Sequence, residues 1–334
     1  MAVYTTIDDP EAHFQVQLYT GDGAANNAIT LGGDTDMQPD FVWIKNRDAT
    51  DSHCLFDAVR TATKLLSSDA NTAETTDTDT LDSFASDGFQ VDADVKVNTS
   101  TEKYVSWNWK ESATSGFDIV AYTGTGSAKT ESHSLSAVPH LIIVKNRTDA
   151  DAWRVYHHKN TAAPETDYMI LDTNAATTDD ATAWNDTAPT SSVFSVGTSD
   201  QTNENTDSFI AYLFSEKQGF SKFGSYVGNG AADGPVIFTG FSPAWILHKR
   251  SSDTGDWRVW NNKSPGYNPN PHAVFPSTTA TEYDTSNLHL DFLSNGFKFR
   301  TSDVNVNTNS ETFIYMAFAE APLVNSEGVP VNAR

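Results

Sequence analysis

An all-β fold of three tandem, homologous antiparallel β-sandwich repeats of jelly-roll type, with short terminal arms, is what this sequence predicts, and three observations carry it. A set of short phrases is written three times in one order, at a spacing of roughly 100 residues. Residues 39–47 read PDFVWIKNR, residues 139–147 PHLIIVKNR and residues 243–250 PAWILHKR. Each copy then ends in a segment of period-two alternation, KYVSWNW, SFIAYLF and TFIYMAF, whose one face is apolar throughout: Val105, Trp107 and Trp109; Ile210, Tyr212 and Phe214; Ile314, Met316 and Phe318. Between the apolar runs Asp, Asn, Thr, Ser and Gly crowd together as in the turns of an all-β protein, and helical periodicity is scarce, its best instance being DAVRTATKLL at residues 57–66.

In chain order, residues 1–13 form an N-terminal arm, residues 14–112, 113–218 and 219–322 the three repeats, and residues 323–334 a C-terminal tail. The arm and tail are extended, proline-containing and outside the repeat, which suits docking by strand addition to a neighbour's sheet edge. Inside each repeat the first landmark is YTGDG from Tyr19, YTGTG from Tyr122 or YVGNG from Tyr226. Its glycine pair (Gly21 and Gly23, Gly124 and Gly126, Gly228 and Gly230) lacks the third glycine and the following helix of a phosphate-cradling loop, so these are expected to be turn glycines with positive φ. FVWI, LIIV and WILH read as short strands buried on both sides, starting at Pro39, Pro139 and Pro243 where a missing N–H costs least. Eight residues after Lys45, Lys145 and Lys249 stand His53, Trp153 and Trp257, and DGFQV, SVFSV and NGFKF then align Phe89, Phe194 and Phe297 ahead of the closing strand.

Bulk properties narrow the function. With 334 residues each third is long enough to bury a core of its own, and a formal charge of -23 repels polyphosphate and anionic lipid, so neither nucleic acid nor membrane insertion is expected. No apolar run approaches a membrane-spanning length, and MAVYTTIDDPEAHF lacks a basic region followed by a hydrophobic one, so the chain is expected to be soluble and not exported by a conventional signal peptide. Cys54 is the single cysteine and permits no intrachain disulfide.

Residues with chemical potential are weighed against their triplication, because a residue present in every copy serves the fold more readily than a reaction. Lys45, Lys145 and Lys249, with Arg47, Arg147 and Arg250 close behind, are expected to pair with the carboxylates that follow them in KNRDATD and KNRTDAD. Arg154 and Arg258 lie among aromatics and suit guanidinium stacking on Trp153 with Tyr156 and on Trp257 with Trp260. His157 and His158 are adjacent, so a strand turns them to opposite sides and they do not share a metal ion. DTDTLD at residues 77–82 has alternating oxygens but neither the glycine nor the distal glutamate of a calcium loop, and reads as a solvated loop. No nucleophile elbow, HExxH or P-loop occurs, so no catalytic residue, metal or cofactor is expected. Trp184, Tyr267 and Tyr283 stand in long polar connections and are the candidates for stacking on a sugar ring.

The phrases YTGTG, IIVKNR, GFSKFGSYVGNGAADGP, PAWILHKR with GDWRVW, LSNGFKFR and TFIYMAFAEAP, with a tail ending NAR, resemble a repeated β-rich domain of virion structural proteins in tailed bacteriophages, especially phages of marine bacteria. The likeness covers nearly the whole chain and is strongest over residues 115–334. It implies a non-enzymatic virion component such as a tail fibre, collar, adaptor or surface-decorating protein, with other virion proteins as partners and a homo-oligomer, a trimer among the options, as its assembled form. It brings no catalytic residues. The alternatives are an adhesion module for host-surface glycan, which the loop aromatics would serve, and an enzyme that degrades such a polysaccharide.

Overall fold

Alternating apolar residues become strands where the periodicity places them, and the strands assemble into three antiparallel sheets of the same order. The computed structural model describes residues 4–284 and 286–331; the first three residues of the expected arm and the last three of the expected tail lie outside the described residues. Sheet 1 contains β1 (Phe14–Thr20), β2 (Phe41–Asn46), β3 (Cys54–Asp57) and β4 (Lys103–Trp109), in the order β1-β4-β2-β3. Sheet 2 repeats that order with β5 (Phe117–Thr123), β6 (Leu141–Asn146), β7 (Arg154–His157) and β8 (Ser208–Phe214), extended beyond β7 by Asp167–Ile170 and Thr178–Asp179. Sheet 3 is formed by β9 (Ser221–Val227), β10 (Phe241–Arg250), β11 (Arg258–Asn261) and β12 (Thr312–Pro322) in the order β9-β12-β10-β11.

Each sheet is buried on both faces. The outward face of sheet 1 packs Val42, Ile44, Phe56 and Tyr104 against Ile29, Leu81, Phe89 and Val91 of a smaller sheet made by Asn27–Ile29, Gly88–Val91 and Leu81–Ala85. Sheet 2 does the same with Ile142, Val144 and Leu213 against Phe194 and Val196. The inward faces of all three sheets meet one another. Trp107 and Trp109, Tyr212 and Phe214, and Met316 and Phe318, the apolar faces of the closing strands, belong to one common core. Its ring contacts cross every boundary: Phe41 on Tyr212 at 4.5 Å, Trp109 on Trp245 at 5.4 Å, Phe214 on Phe318 at 6.0 Å. Burying each such side chain contributes roughly 1.5–3 kcal/mol. The void left at the centre, about 10 Å³ between walls of Phe, Trp, Leu, Ile, Tyr and Met, is apolar and barely one water in size, so the middle of the molecule is a filled core and not a channel.

Polar contacts lock the sheets in cyclic order. The connection that follows the third strand of each sheet crosses onto the next: the N–H of Glu74 donates to Arg147 O (3.0 Å), that of Thr177 to Ser251 O (3.1 Å) and that of Glu282 to Arg47 O (2.9 Å). Trp153 Nε1 donates to Ser67 O (2.9 Å) and Trp257 Nε1 to Ile170 O (2.7 Å), while His53 Nε2 stands 3.0 Å from Phe275 O. Sheet 1 thus reaches sheet 2, sheet 2 reaches sheet 3, and sheet 3 returns to sheet 1.

Two expectations need correction. Residues 57–66 are not helical: the Arg60 N–H donates to Asp57 Oδ1 (2.8 Å), making a turn, and Lys64–Leu65 then pairs with Thr75–Thr76. The α-helices of the described residues are single turns, Val95–Asn98, Ala181–Trp184, Asp200–Asn203 and Val304–Asn307, and none is long and apolar enough to cross a membrane. The described parts of the terminal arms lie on the chain's own body instead of extending from it. Ile7 is apolar and joins the common core, Asp8 accepts from the Ser326 N–H (2.7 Å), and Leu323 N–H donates to Gly240 O (3.4 Å).

Candidate functional site

Lys45 and Lys145, next to last in β2 and β6, and Lys249 in β10 are fully buried, and their ammonium groups face backbone carbonyls instead of the expected carboxylates. Lys45 Nζ donates to Ala49 O (3.1 Å), Asp51 O (2.8 Å) and Thr279 O (3.2 Å); Lys145 Nζ to Asn71 O (3.1 Å) and Asp151 O (2.8 Å); Lys249 Nζ to Arg250 O (2.8 Å) and Asn174 O (3.4 Å). In each case one acceptor comes from the connection of the preceding sheet in the ring. Burial pushes all three ammonium groups down to about 8, nearby aspartates opposing the shift for Lys45 and Lys145. It is the neighbouring asparagines that take the acidic residues, Asn46 to Asp51 Oδ2 (2.7 Å) and Asn146 to Asp151 Oδ2 (2.8 Å). Arg47 and Arg147 do find carboxylates, but across the ring, at Glu282 (2.7 Å) and Glu74 (2.9 Å). Arg250 stays local, on Asp253 (3.3 Å).

The glycine pairs divide their work. Gly23, Gly126 and Gly230 have φ of 72°, 67° and 65°, as a turn requires. Gly21, Gly124 and Gly228 do not; a Cβ there would strike the carbonyl oxygen of Thr99, Glu204 or Thr308. That close approach is held by Asn98, Asn203 and Asn307, three fully buried asparagines at the ends of the helical turns. Their Oδ1 atoms accept from the N–H groups of Asp22 (3.0 Å), Thr125 (2.9 Å) and Asn229 (2.8 Å). Sequence reading passed over these asparagines, although they recur at the spacing of the other landmarks.

Arg154 and Arg258 stack, but on Tyr168 (4.1 Å to the ring centre) and Phe275 (5.3 Å) and not on the aromatics beside them in sequence. His157 and His158 do not face opposite sides: His158 lies just past the end of β7, the two rings are 5.4 Å apart, and both reach sheet 3, with Nε2 of the first 3.1 Å from Tyr315 O and of the second 2.8 Å from Phe223 O. Burial lowers His157 to about 3 and His158 to about 4. An unfolded histidine takes its proton near 6.5, so the contribution of a neutral buried one is complete above that value and is lost as pH falls towards the folded pKa, by about 1.4 kcal/mol per pH unit for each group. Buried carboxyls titrate with the opposite sign, since burial raises Asp69, Asp172 and Glu111. The difference between wild type and His158→Gln isolates the imidazole. Urea midpoints at pH 7, 6 and 5 are expected to show the wild type losing its advantage over the variant at about that slope; parallel profiles would contradict it.

Of the three aromatic candidates for sugar contact, Trp184 is ruled out by its position. It is 2% exposed, its Nε1 donates to Asp167 O (3.0 Å), and Asp180 caps the helical turn that carries it inward. Tyr283 is 48% exposed and leans edge-on against Phe275 at 5.9 Å. Tyr267, at 65%, stands at the mouth of a cleft of about 150 Å³ with Asn262, Gly266, Asn268 and Phe292. Asn262 also lines a second cleft of about 250 Å³, whose walls are β1, the 32–33 turn, Ala244, Lys263, Ala319 and Glu320. Its side chain is 2% exposed, yet neither Oδ1 nor Nδ2 has a partner among the described residues.

Metal and thiol chemistry find little. The 77–82 stretch is a solvated loop only in its first half: Asp77 accepts from the Asp79 N–H (3.1 Å) and lies 3.6 Å from Lys96 Nζ, which suits a turn more than a cation site, while Thr80 and Leu81 are buried and Leu81 opens the strand Leu81–Ala85. Asp149, Glu204 and Asp207 bring oxygens within 4.8 Å of one another and could hold a cation, but Asp207 already accepts from Asn146 Nδ2 (2.9 Å). Cys54 is buried, and burial pushes its thiol far up.

No curated protein and no solved structure matches the chain. The profile of one family, described as a domain of unknown function (DUF7483), matches residues 9–322, from the approach to β1 through to the end of β12, so the ring of three sheets is taken as one domain. The chain belongs to the DUF7483 family.

Proposed function

We propose that this protein is three copies of one jelly-roll-like sandwich unit, residues 14–112, 113–218 and 219–322, and that it serves as a non-enzymatic structural component of a tailed-phage virion, as a tail fibre, collar, adaptor or decoration protein. One observation carries the structural role: the polar side chains that the three sheets hold in common are engaged in holding loops and neighbouring sheets. Lysines, asparagines and the Trp or His at the start of the third strand all bind backbone groups, which is a structural use of these repeated positions. The particle setting rests on the resemblance of the repeated phrases to virion proteins. A closed ring also provides, within one chain, the threefold arrangement that phage appendages commonly reach by trimerisation. Mass spectrometry of density-purified particles from the virus encoding the chain tests the reading. The protein is expected in a fixed ratio to the major capsid protein; its recovery only in the soluble fraction of the lysate would refute it.

A further inference from the structure

The three boundaries of the ring are built alike but not finished alike. Hydrogen-bond parity in an antiparallel pair leaves every second residue of an edge strand with its N–H and C=O directed away from the sheet. The bonds from Gly21 N to Glu102 O, Gly124 N to Asp207 O and Gly228 N to Glu311 O fix that parity, and Val16, Ile119 and Phe223 face outward at matching places in β1, β5 and β9. Between sheets 1 and 2 the Ile119 N–H donates to Glu111 Oε1 (3.2 Å). Between sheets 2 and 3 the Phe223 N–H donates to Glu216 Oε2 (3.4 Å), and Phe223 O is met by His158 Nε2 (2.8 Å). Between sheets 3 and 1, where Asn262 occupies the place of His158, Val16 has no hydrogen-bond partner among the described residues, the Asn262 amide has none, and the cleft of about 250 Å³ lies between them.

We infer that this third boundary is a binding site for a small, neutral polyhydroxylated ligand, one or two sugar rings, held between Val16 and Asn262. The unpartnered groups are two donor–acceptor pairs, a peptide N–H with its C=O and a carboxamide NH₂ with its C=O. An anion offers acceptors alone and an ammonium donors alone; each would leave half of these groups unmet. A hydroxyl donates and accepts at one atom, and neighbouring hydroxyls match both pairs. The Glu11 and Glu320 carboxylates in the lining disfavour an acidic ligand. Val16, Ala244 and Ala319 supply an apolar wall for the C–H face of a ring, and the exposed ring of Tyr267, across Asn262, offers a platform for a second. The volume falls below the roughly 300–1,000 Å³ of sites that take drug-sized molecules. Strand addition by a peptide fits less well, because Gln17 Nε2 already donates to Leu18 O (2.8 Å) and so interrupts the run of open edge groups that an added strand needs in succession.

The test is a TROSY titration of the full-length ¹⁵N-labelled chain with maltose, cellobiose and lactose, each to its solubility limit, and separately with an extended Lys-containing octapeptide. At least one sugar is expected to shift the Val16 backbone amide and the Asn262 side-chain amide together. Asn262→Leu is expected to abolish that response without lowering Tm, because it removes a buried amide that has no partner. Silence with all three sugars, a response to the peptide alone, or sugar shifts that survive in the leucine variant would each overturn the inference.

Discussion

Replacing Trp109 with alanine is expected to destabilise all three sheets together, by about 3–5 kcal/mol. Trp109 is almost wholly buried and touches rings from each sheet: Phe14 (4.9 Å) and Phe41 (5.3 Å) of its own, Phe214 (6.4 Å) of sheet 2, Trp245 (5.4 Å) and Phe318 (5.8 Å) of sheet 3. The centre has no slack in which to rearrange, so most of the indole volume becomes cavity. Urea unfolding followed by hydrogen exchange checks it. Amides of β8 and β12 should lose protection along with those of β4. Loss confined to residues 14–109 would mean that the sheets are independent sandwiches.

The second large effect lies at the boundary between sheets 1 and 2, where Arg60→Ala is expected to cost about 3–5 kcal/mol. Arg60 and Asp57 are both fully buried and ion-paired. The guanidinium also reaches Lys64 O (2.9 Å), Leu55 O (3.0 Å) and the Tyr212 hydroxyl (3.1 Å), and that hydroxyl donates to Asp57 Oδ2 (2.7 Å). Alanine strands the Asp57 carboxylate in the interior without its counter-charge. The ion pair itself need not be strongly stabilising, because desolvation opposes the Coulomb attraction. Combining Asp57→Leu, Arg60→Met and Tyr212→Phe should therefore recover most of the loss. Chemical denaturation of the single and triple variants distinguishes the two statements; a single variant within 0.5 kcal/mol of wild type, the usual span of an inconsequential surface change, would contradict the first.

What could be read from the sequence was burial; what could not was the partner. The face made by Val105, Trp107 and Trp109 was plain from period-two alternation, but alternation says only that a side is covered. Nothing local distinguishes a strand facing its own second layer from one facing two other sheets. The same blindness governed charge. Lys45 and Arg47 are followed by aspartates, and proximity in sequence suggested those as partners; the fold instead brings Thr279 O to the lysine and Glu282 to the arginine from more than 200 residues away. Trp184 was placed among polar loop residues because a four-residue helical turn is too short to show a period. Tyr267 stands out in sequence as an aromatic in a polar connection, yet Asn262, the residue that makes its surroundings a candidate site, is one of many asparagines and becomes conspicuous only when its unmet hydrogen bonds are seen.

The crossing of each connection onto the following sheet has a bearing on biosynthesis. A nascent chain that has released only its first two sheets displays half-covered tryptophans and phenylalanines, and the strap from sheet 3 that grips Arg47 has yet to be translated. Completion waits for the carboxyl-terminal third, so the pathway is dominated by long-range closure and should be slow. Unlike a solenoid, which gains or sheds modules at its ends, three sheets joined in a closed cycle leave no free end at which another could be stacked.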